Sequence, residues 1–226
     1  VMEKPAKTFF DGKEYRQREA ANLSTTTGAR DGITKAYYES GKPLSINHYK
    51  EGVLTGTSQF FYEAGGLKEE IKYSNEGKDR KVTAYYPSGN VKEEQQFQGK
   101  AKTGNWVSYY DQPKKIKVKE SYANDKLTGI RYTYYENGQI ETQAEYLNNK
   151  ITGTLQTFFP SGKIKTETDY KSGLKSGKFR QYFENGKTEI TGAFRNNRET
   201  GNWKFMDENG KTLRTAIFRN GVEVQK

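Results

Sequence analysis

Three kinds of side chain here could do chemistry: one histidine, recurring paired carboxylates and a long series of aromatic rings. His48 is the only histidine, and there is no cysteine. Disulfides, cysteine-ligated zinc and thiol catalysis are therefore excluded, and any imidazole-based nucleophilic catalysis would have to use His48. That residue falls in a slot held elsewhere by Lys72, Gln96, Ser121, Glu145 and Asp169. A slot so varied and polar suits a surface residue. The pairs Glu69-Glu70 and Glu93-Glu94 open predicted strands. Neighbours in a strand point to opposite faces, which argues against an acid–base dyad within either pair. P-loop, dinucleotide, EF-hand and histidine-rich metal signatures do not occur. No catalytic residue, metal or cofactor is assigned, and the chain is read as a non-enzyme.

The rings are the remaining candidates, and their spacing is regular. Aromatic pairs stand at Tyr37-Tyr38, Phe61-Tyr62, Tyr85-Tyr86, Tyr109-Tyr110, Tyr134-Tyr135, Phe158-Phe159 and Tyr182-Phe183. Each follows a repeat start: Gly32, Gly56, Arg80, Gly104, Gly129, Gly153, Gly177 and Gly201. The starts are 24 residues apart, except for 25 between Gly104 and Gly129. A fixed period of this length signals a stacked array, and arrays present surfaces more often than they catalyse.

The element that must position these rings is a β-hairpin. In the fifth unit, Ile130 to Glu136 is rich in strand formers, Asn137-Gly138 reads as a type I′ turn, and Gln139 to Leu147 alternates in polarity. Ser40-Gly41, Ser88-Gly89, Ser161-Gly162, Asn185-Gly186 and Asn209-Gly210 repeat the turn signal, while the fourth unit has Gln112-Pro113 and an extra residue. The predicted fold is all-β: a single elongated antiparallel sheet of tandem hairpins over 32–226, with residues 1–31 as an N-terminal cap. Gly12 to Leu23 is the one segment read as a helix, followed by a loop at Ser24 to Gly28.

Period-two alternation then assigns faces. One face takes Val82, Trp106, Leu155 and Phe179 with the second ring of each pair. It also takes an outer aromatic in every unit: Tyr49, Tyr73, Phe97, Tyr122, Tyr146, Tyr170, Phe194 and Phe218. Leu67, Val91, Ile116, Ile140 and Ile164 lie six residues before five of these and are placed with them. The opposite face carries the first rings: Tyr37, Phe61, Tyr85, Tyr109, Tyr134, Phe158 and Tyr182. Around them stand Lys35, Gln59, Lys81, Thr83, Thr154, Gln156, Lys178 and Arg180. This ladder is the candidate binding site, recurring about every 9–10 Å along the sheet. Cross-strand packing alone is the other role open to it.

Composition bounds the partner. Apolar residues make up only 32% while aromatics reach 14%, so buried surface must come mainly from rings. Net charge is +10 with pI about 9.4, which favours acidic partners. Acidic residues are interleaved with the basic ones, so nucleic acid is disfavoured despite the ring-plus-cation chemistry. No apolar stretch reaches membrane-spanning length.

The segments "TYYENGQIETQAEYLNNKITG" and "FFPSGKIKTETDYKSGLKSG" resemble the MORN repeat, and more closely its variant form in bacterial YwqK-type proteins. The resemblance covers about 32–226. It implies hairpins in a twisted sheet, scaffolding or contact with protein or lipid, and no enzymatic chemistry. Eukaryotic-type units end in G-x-G, which this chain lacks; that weighs against carrying over their lipid-headgroup role. The reading is a protein-interaction or scaffold module acting through the ladder or a sheet edge, in a larger complex or a homodimer joined by the apolar face. A glycan- or anionic-lipid-binding envelope protein is the alternative. A start on Val1 and the absence of cysteine fit an exported bacterial envelope protein, with the cytoplasm as the other location.

Overall fold

Two kinds of turn alternate along the chain. The computed structural model describes residues 6–10, 13–17 and 19–224, with side chains from residue 23 onward. Between most repeats the chain reverses over two residues that both take positive φ, as at Asn148 (52°) and Asn149 (67°), or Asn196 (51°) and Asn197 (66°). These are the type I′ turns, whose twist matches that of the flanking strands. Within repeats the turn is longer. At Asn137-Gly138 only Gly138 has positive φ, at 87°. The Tyr135 N–H donates to the Gln139 carbonyl at 2.9 Å, and the Gly138 N–H donates to the Tyr135 carbonyl at 2.9 Å. This is a type I turn closed by a left-handed glycine, in place of the predicted type I′. The loop holds one residue more, so Asn137 keeps an ordinary conformation.

No helix occurs among the described residues. The predicted helix over 12–23 is instead two strands, Lys13–Gln17 and Glu19–Leu23; Gly12 lies outside the described residues. Lys13–Gln17 pairs antiparallel with Ala6–Phe10, and Glu19–Leu23 pairs with Arg30–Tyr37, the first strand of the array. Helix propensity in this segment is a fraction of a kcal/mol per residue, and the unpaired edge of a sheet offers hydrogen bonds that outweigh it. The loop after it is as predicted: the Gly28 N–H donates to the Ser24 carbonyl at 3.0 Å.

The chain divides into two units, Val1–Lys114 and Lys115–Lys226. The division falls beside Pro113, where the sequence period slips by one residue. Within each unit, consecutive strands pair antiparallel. In the second unit, Lys150–Phe158 pairs with Ile164–Lys171, which pairs with Leu174–Tyr182, which pairs with Thr188–Arg195. The first unit runs likewise from Arg30–Tyr37 through Pro43–Lys50, Thr57–Phe61, Leu67–Ser74, Asp79–Tyr85 and Val91–Gln98.

A bulge in seven of the hairpins corrects the face assignment. The register shifts so that Leu67 opposes Phe61, Val91 opposes Tyr85, Ile140 opposes Tyr134 and Ile164 opposes Phe158. These four aliphatics therefore stand beside the ladder rings, and not with Tyr73, Phe97, Tyr146 and Tyr170. One extra residue reverses the side-chain alternation beyond it. The extra residue is Lys68, Lys92 or Lys165 in three of these hairpins. Its ammonium lies over the second ring of the pair, at 5.9 Å from Tyr62, 5.8 Å from Tyr86 and 5.6 Å from Phe159.

The repeat-start glycine makes a second bulge. Gly153 has φ of 67°. Glu145 opposes Thr152, but Gln143 opposes Gln156, so two extra residues fit opposite Ala144. Arg80 is the one start that is not glycine, and there the register from Glu69–Ala84 to Ser74–Asp79 runs unbroken. The two extra residues move into the turn, where Asn75 (49°), Glu76 (54°) and Gly77 (80°) all take positive φ. A left-handed conformation costs an arginine about 1–2 kcal/mol, so the loop absorbs the slack instead. Arg80 stacks its guanidinium 4.0 Å from the centre of the Phe97 ring that it opposes.

The core lies on the other face, two residues after each start. In the first unit this position holds Thr34, Ser58, Val82 and Trp106; in the second it holds Arg131, Leu155, Phe179 and Trp203. Trp106 is 7% exposed and Trp203 6%. Trp203 lies 5.2 Å from Phe194, 5.5 Å from Phe179 and 5.8 Å from Phe218, a cluster of edge-on and tilted rings. Gly192 sits beneath it, where a Cβ would stand 2.2 Å from the indole. Burial of each large apolar side chain in this row stabilises the fold by about 1.5–3 kcal/mol.

Candidate binding face

Every ladder ring is the last residue of its strand. In the first unit Tyr37, Phe61, Tyr85 and Tyr109 end Arg30–Tyr37, Thr57–Phe61, Asp79–Tyr85 and Gly104–Tyr109. In the second, Tyr134, Phe158 and Tyr182 end Gly129–Tyr134, Lys150–Phe158 and Leu174–Tyr182. The turn that follows each ring fixes where it stands. All seven are half-buried; across the hairpin Phe61, Tyr85, Tyr134 and Phe158 stand opposite an aliphatic residue, Tyr37 opposite Pro43 and Tyr182 opposite Thr188.

Carboxylates hold two of the phenols. The Tyr109 hydroxyl donates to Glu94 at 2.5 Å and the Tyr182 hydroxyl to Glu167 at 2.8 Å. Burial, then the bond to Glu94 and its charge, pushes the Tyr109 phenol up to about 12. Burial, then Glu167, raises Tyr182; burial, then the Glu70 charge, raises Tyr85. Burial, then neighbouring Tyr132, raises Tyr134. Glu70 itself pairs with Lys72 at 3.0 Å and accepts from Gln59 at 3.4 Å, and Glu167 accepts from Gln156 at 3.0 Å. The place of these glutamates beside the ladder has no local signal in the sequence. Each lies fifteen positions before its tyrosine, a spacing that means nothing until the strand register is known.

The second ring of each pair stands just past its ladder ring. It lies one residue beyond the strand, and the hydroxyls of Tyr38, Tyr62, Tyr86 and Tyr135 reach the next repeat. Tyr38 donates to the Phe61 carbonyl at 2.6 Å, Tyr62 to that of Tyr85 at 2.6 Å and Tyr86 to that of Tyr109 at 2.9 Å. Tyr135 donates to the Phe158 carbonyl at 2.8 Å. Each bond ties one hairpin to the ladder residue of the following one, at about 0.5–1.5 kcal/mol net.

The other chemical candidates do not assemble a site. His48 is half-buried, with Nδ1 2.7 Å from the Thr57 carbonyl. Glu69 and Glu70 do face opposite ways: Glu69 opposes Phe60 on the core face and Glu70 opposes Gln59 beside the ladder. Burial raises the Glu69 carboxyl above its ordinary range, against the pull of Lys68 and Arg80. No cluster of three or more histidine and carboxylate groups able to hold a metal ion occurs among the described residues.

The MORN repeat variant matches at residues 30–51, 54–75, 81–98, 127–148, 151–172 and 175–196, more than half of the chain. The chain belongs to the MORN repeat variant family. The matches skip 99–126 and everything after 196, the stretches holding Pro113 and Trp203. MORN repeats generally serve as protein- or membrane-lipid-interaction modules, and their fold is typically non-catalytic. No curated protein matches the chain. No helix among the described residues is long and apolar enough to cross a membrane.

Proposed function

We propose that the chain is a non-enzymatic module that binds another protein through its ring ladder. The observation that carries this reading is the set of half-buried rings at strand ends with glutamates bonded alongside, as at Tyr109–Glu94 and Tyr182–Glu167. Rings held in place contribute contact area with little entropy lost on binding, and their fixed carboxylates keep lone pairs free to accept from a partner. Interfaces are enriched in such rigid aromatic anchors. The glutamates weigh against an anionic headgroup as the ligand of this face.

The test is affinity purification from native cells, comparing the parent chain with Tyr85→Ala, Phe158→Ala and a variant carrying both. Loss of a stoichiometric partner from the ladder variants, with circular dichroism unchanged, supports the reading. A partner retained by all three would place binding elsewhere. Ladder-dependent binding to polysaccharide with no protein partner would assign the face to glycan.

A further inference from the structure

The turns between repeats form a rim, and in Lys115–Lys226 its composition has nothing to do with the ladder. Each turn is flanked by two residues directly opposite one another. First come Ala123 with Lys126, Leu147 with Lys150, and Lys171 with Leu174. Arg195 with Arg198 and Arg219 with Val222 complete the row. Every pair includes a cation, none includes an acid, and all are exposed. Leu147 is 60% exposed and Val222 66%. In Val1–Lys114 the row is interrupted, since Ser74 opposes Asp79 and Gln98 opposes Ala101.

Two features make this rim more than a solvated edge. Arg195 stands opposite Arg198, a like-charge pairing that destabilises a sheet, and no ion pair involves Arg195, Arg198 or Arg219 among the described residues. Open recesses also lie between successive turns. One of about 530 Å³ is lined by Arg195, Asn196, Arg198, Glu199, Arg219 and Asn220, and one of about 250 Å³ by Leu147, Asn148, Lys150, Thr152 and Ser172. Three arginines against Glu199 leave the larger one positive. The turns are fixed to each other: the Lys175 N–H donates to Asn197 Oδ1 at 2.7 Å, and the Gly221 N–H to the Glu199 carbonyl at 2.9 Å.

We infer that this rim binds an extended acidic segment of a partner protein, with a carboxylate at about every third residue entering the recesses between turns. Three extended residues span roughly 10 Å, which matches the two-strand spacing of successive turns. Arginine forks donate paired hydrogen bonds to carboxylates. Leu147, Leu174 and Val222 stand where the apolar residues between the acids would lie. A flat headgroup layer would leave the recesses empty, which is why a peptide is favoured over a membrane. The proposal is independent of the ladder.

The probe is a fluorescein-labelled peptide of repeated Glu-Leu-Gly triplets, with a control of the same composition in which the glutamates are contiguous. Fluorescence anisotropy on the full chain should show the spaced peptide binding at least about fivefold more tightly than the control. Binding should weaken as salt rises, since the contact is largely ionic. Arg195→Glu with Arg198→Glu and Arg219→Glu should abolish it, and the single Arg195→Gln should weaken it several-fold. Tyr85→Ala, which tests the ladder, should leave it unchanged. Equal binding of the two peptides, survival in the triple variant, or loss in Tyr85→Ala would each overturn the inference. So would tighter binding to phosphatidylserine vesicles than to the spaced peptide.

Discussion

Tyr109 binds its proton more tightly in the folded chain than in the unfolded one. An unfolded phenol titrates near 10, and burial followed by Glu94 moves this one to about 12. The stabilisation is therefore complete below pH 10 and is lost as pH rises through about 12. Tyr85, Tyr134 and Tyr182 shift in the same direction, so the array should unfold in alkali over that window. Phenolate absorbance followed alongside circular dichroism checks this. Glu94→Gln should lower the last ionisation step, leaving the part due to burial. A titration that does not respond would mean that Glu94 does not hold the phenol. The seven ladder rings were legible in the sequence because type and spacing repeat together. Their carboxylate partners were not, because a contact across strands depends on a bulge that period-two counting cannot see.

At the scale of the element, slack in the repeat is taken up either by a left-handed glycine inside the strand or by two more residues in the turn. Gly153 uses the first device and Arg80 forces the second. Gly153→Ala should cost about 1–2 kcal/mol in urea unfolding, since alanine must hold the left-handed conformation. Arg80→Ala should cost about 0.5–1 kcal/mol, the worth of an exposed cation–ring contact. A Gly153→Ala chain as stable as its parent would remove the bulge from the account. Hairpin positions were readable from their Gly and Asn signals. The turn type at Asn137-Gly138 was not, because the same dipeptide serves loops of two lengths. Lys13–Gln17 and Glu19–Leu23 form strands despite their helix formers, because local propensity carries no sign of the strand edge that Glu19–Leu23 joins.

For the whole molecule, an array held by contacts between neighbouring hairpins should fail locally. Trp203→Ala removes the centre of a four-ring cluster over Gly192 and should cost about 3–5 kcal/mol. Amide exchange should rise in Leu174–Tyr182, Thr188–Arg195, Arg198–Met206 and Thr212–Arg219, and stay unchanged in Arg30–Tyr37 and Pro43–Lys50. Uniform loss of protection would mean that the chain unfolds as one cooperative body. The period announced the repeat family plainly, and its one slip, near Pro113, is where the two units meet in sequence. The partner was not legible, since a ladder and a rim state a chemistry without naming who meets it. The two tryptophans occupy the same position of the fourth hairpin start in each unit, and the chain has no others. The Trp106 indole donates to the Gln96 carbonyl at 3.1 Å, whereas the Trp203 nitrogen has no such partner. Each unit thus carries its own fluorescent reporter with its own emission environment, and replacing either indole by phenylalanine leaves a chain that reports on the other unit alone.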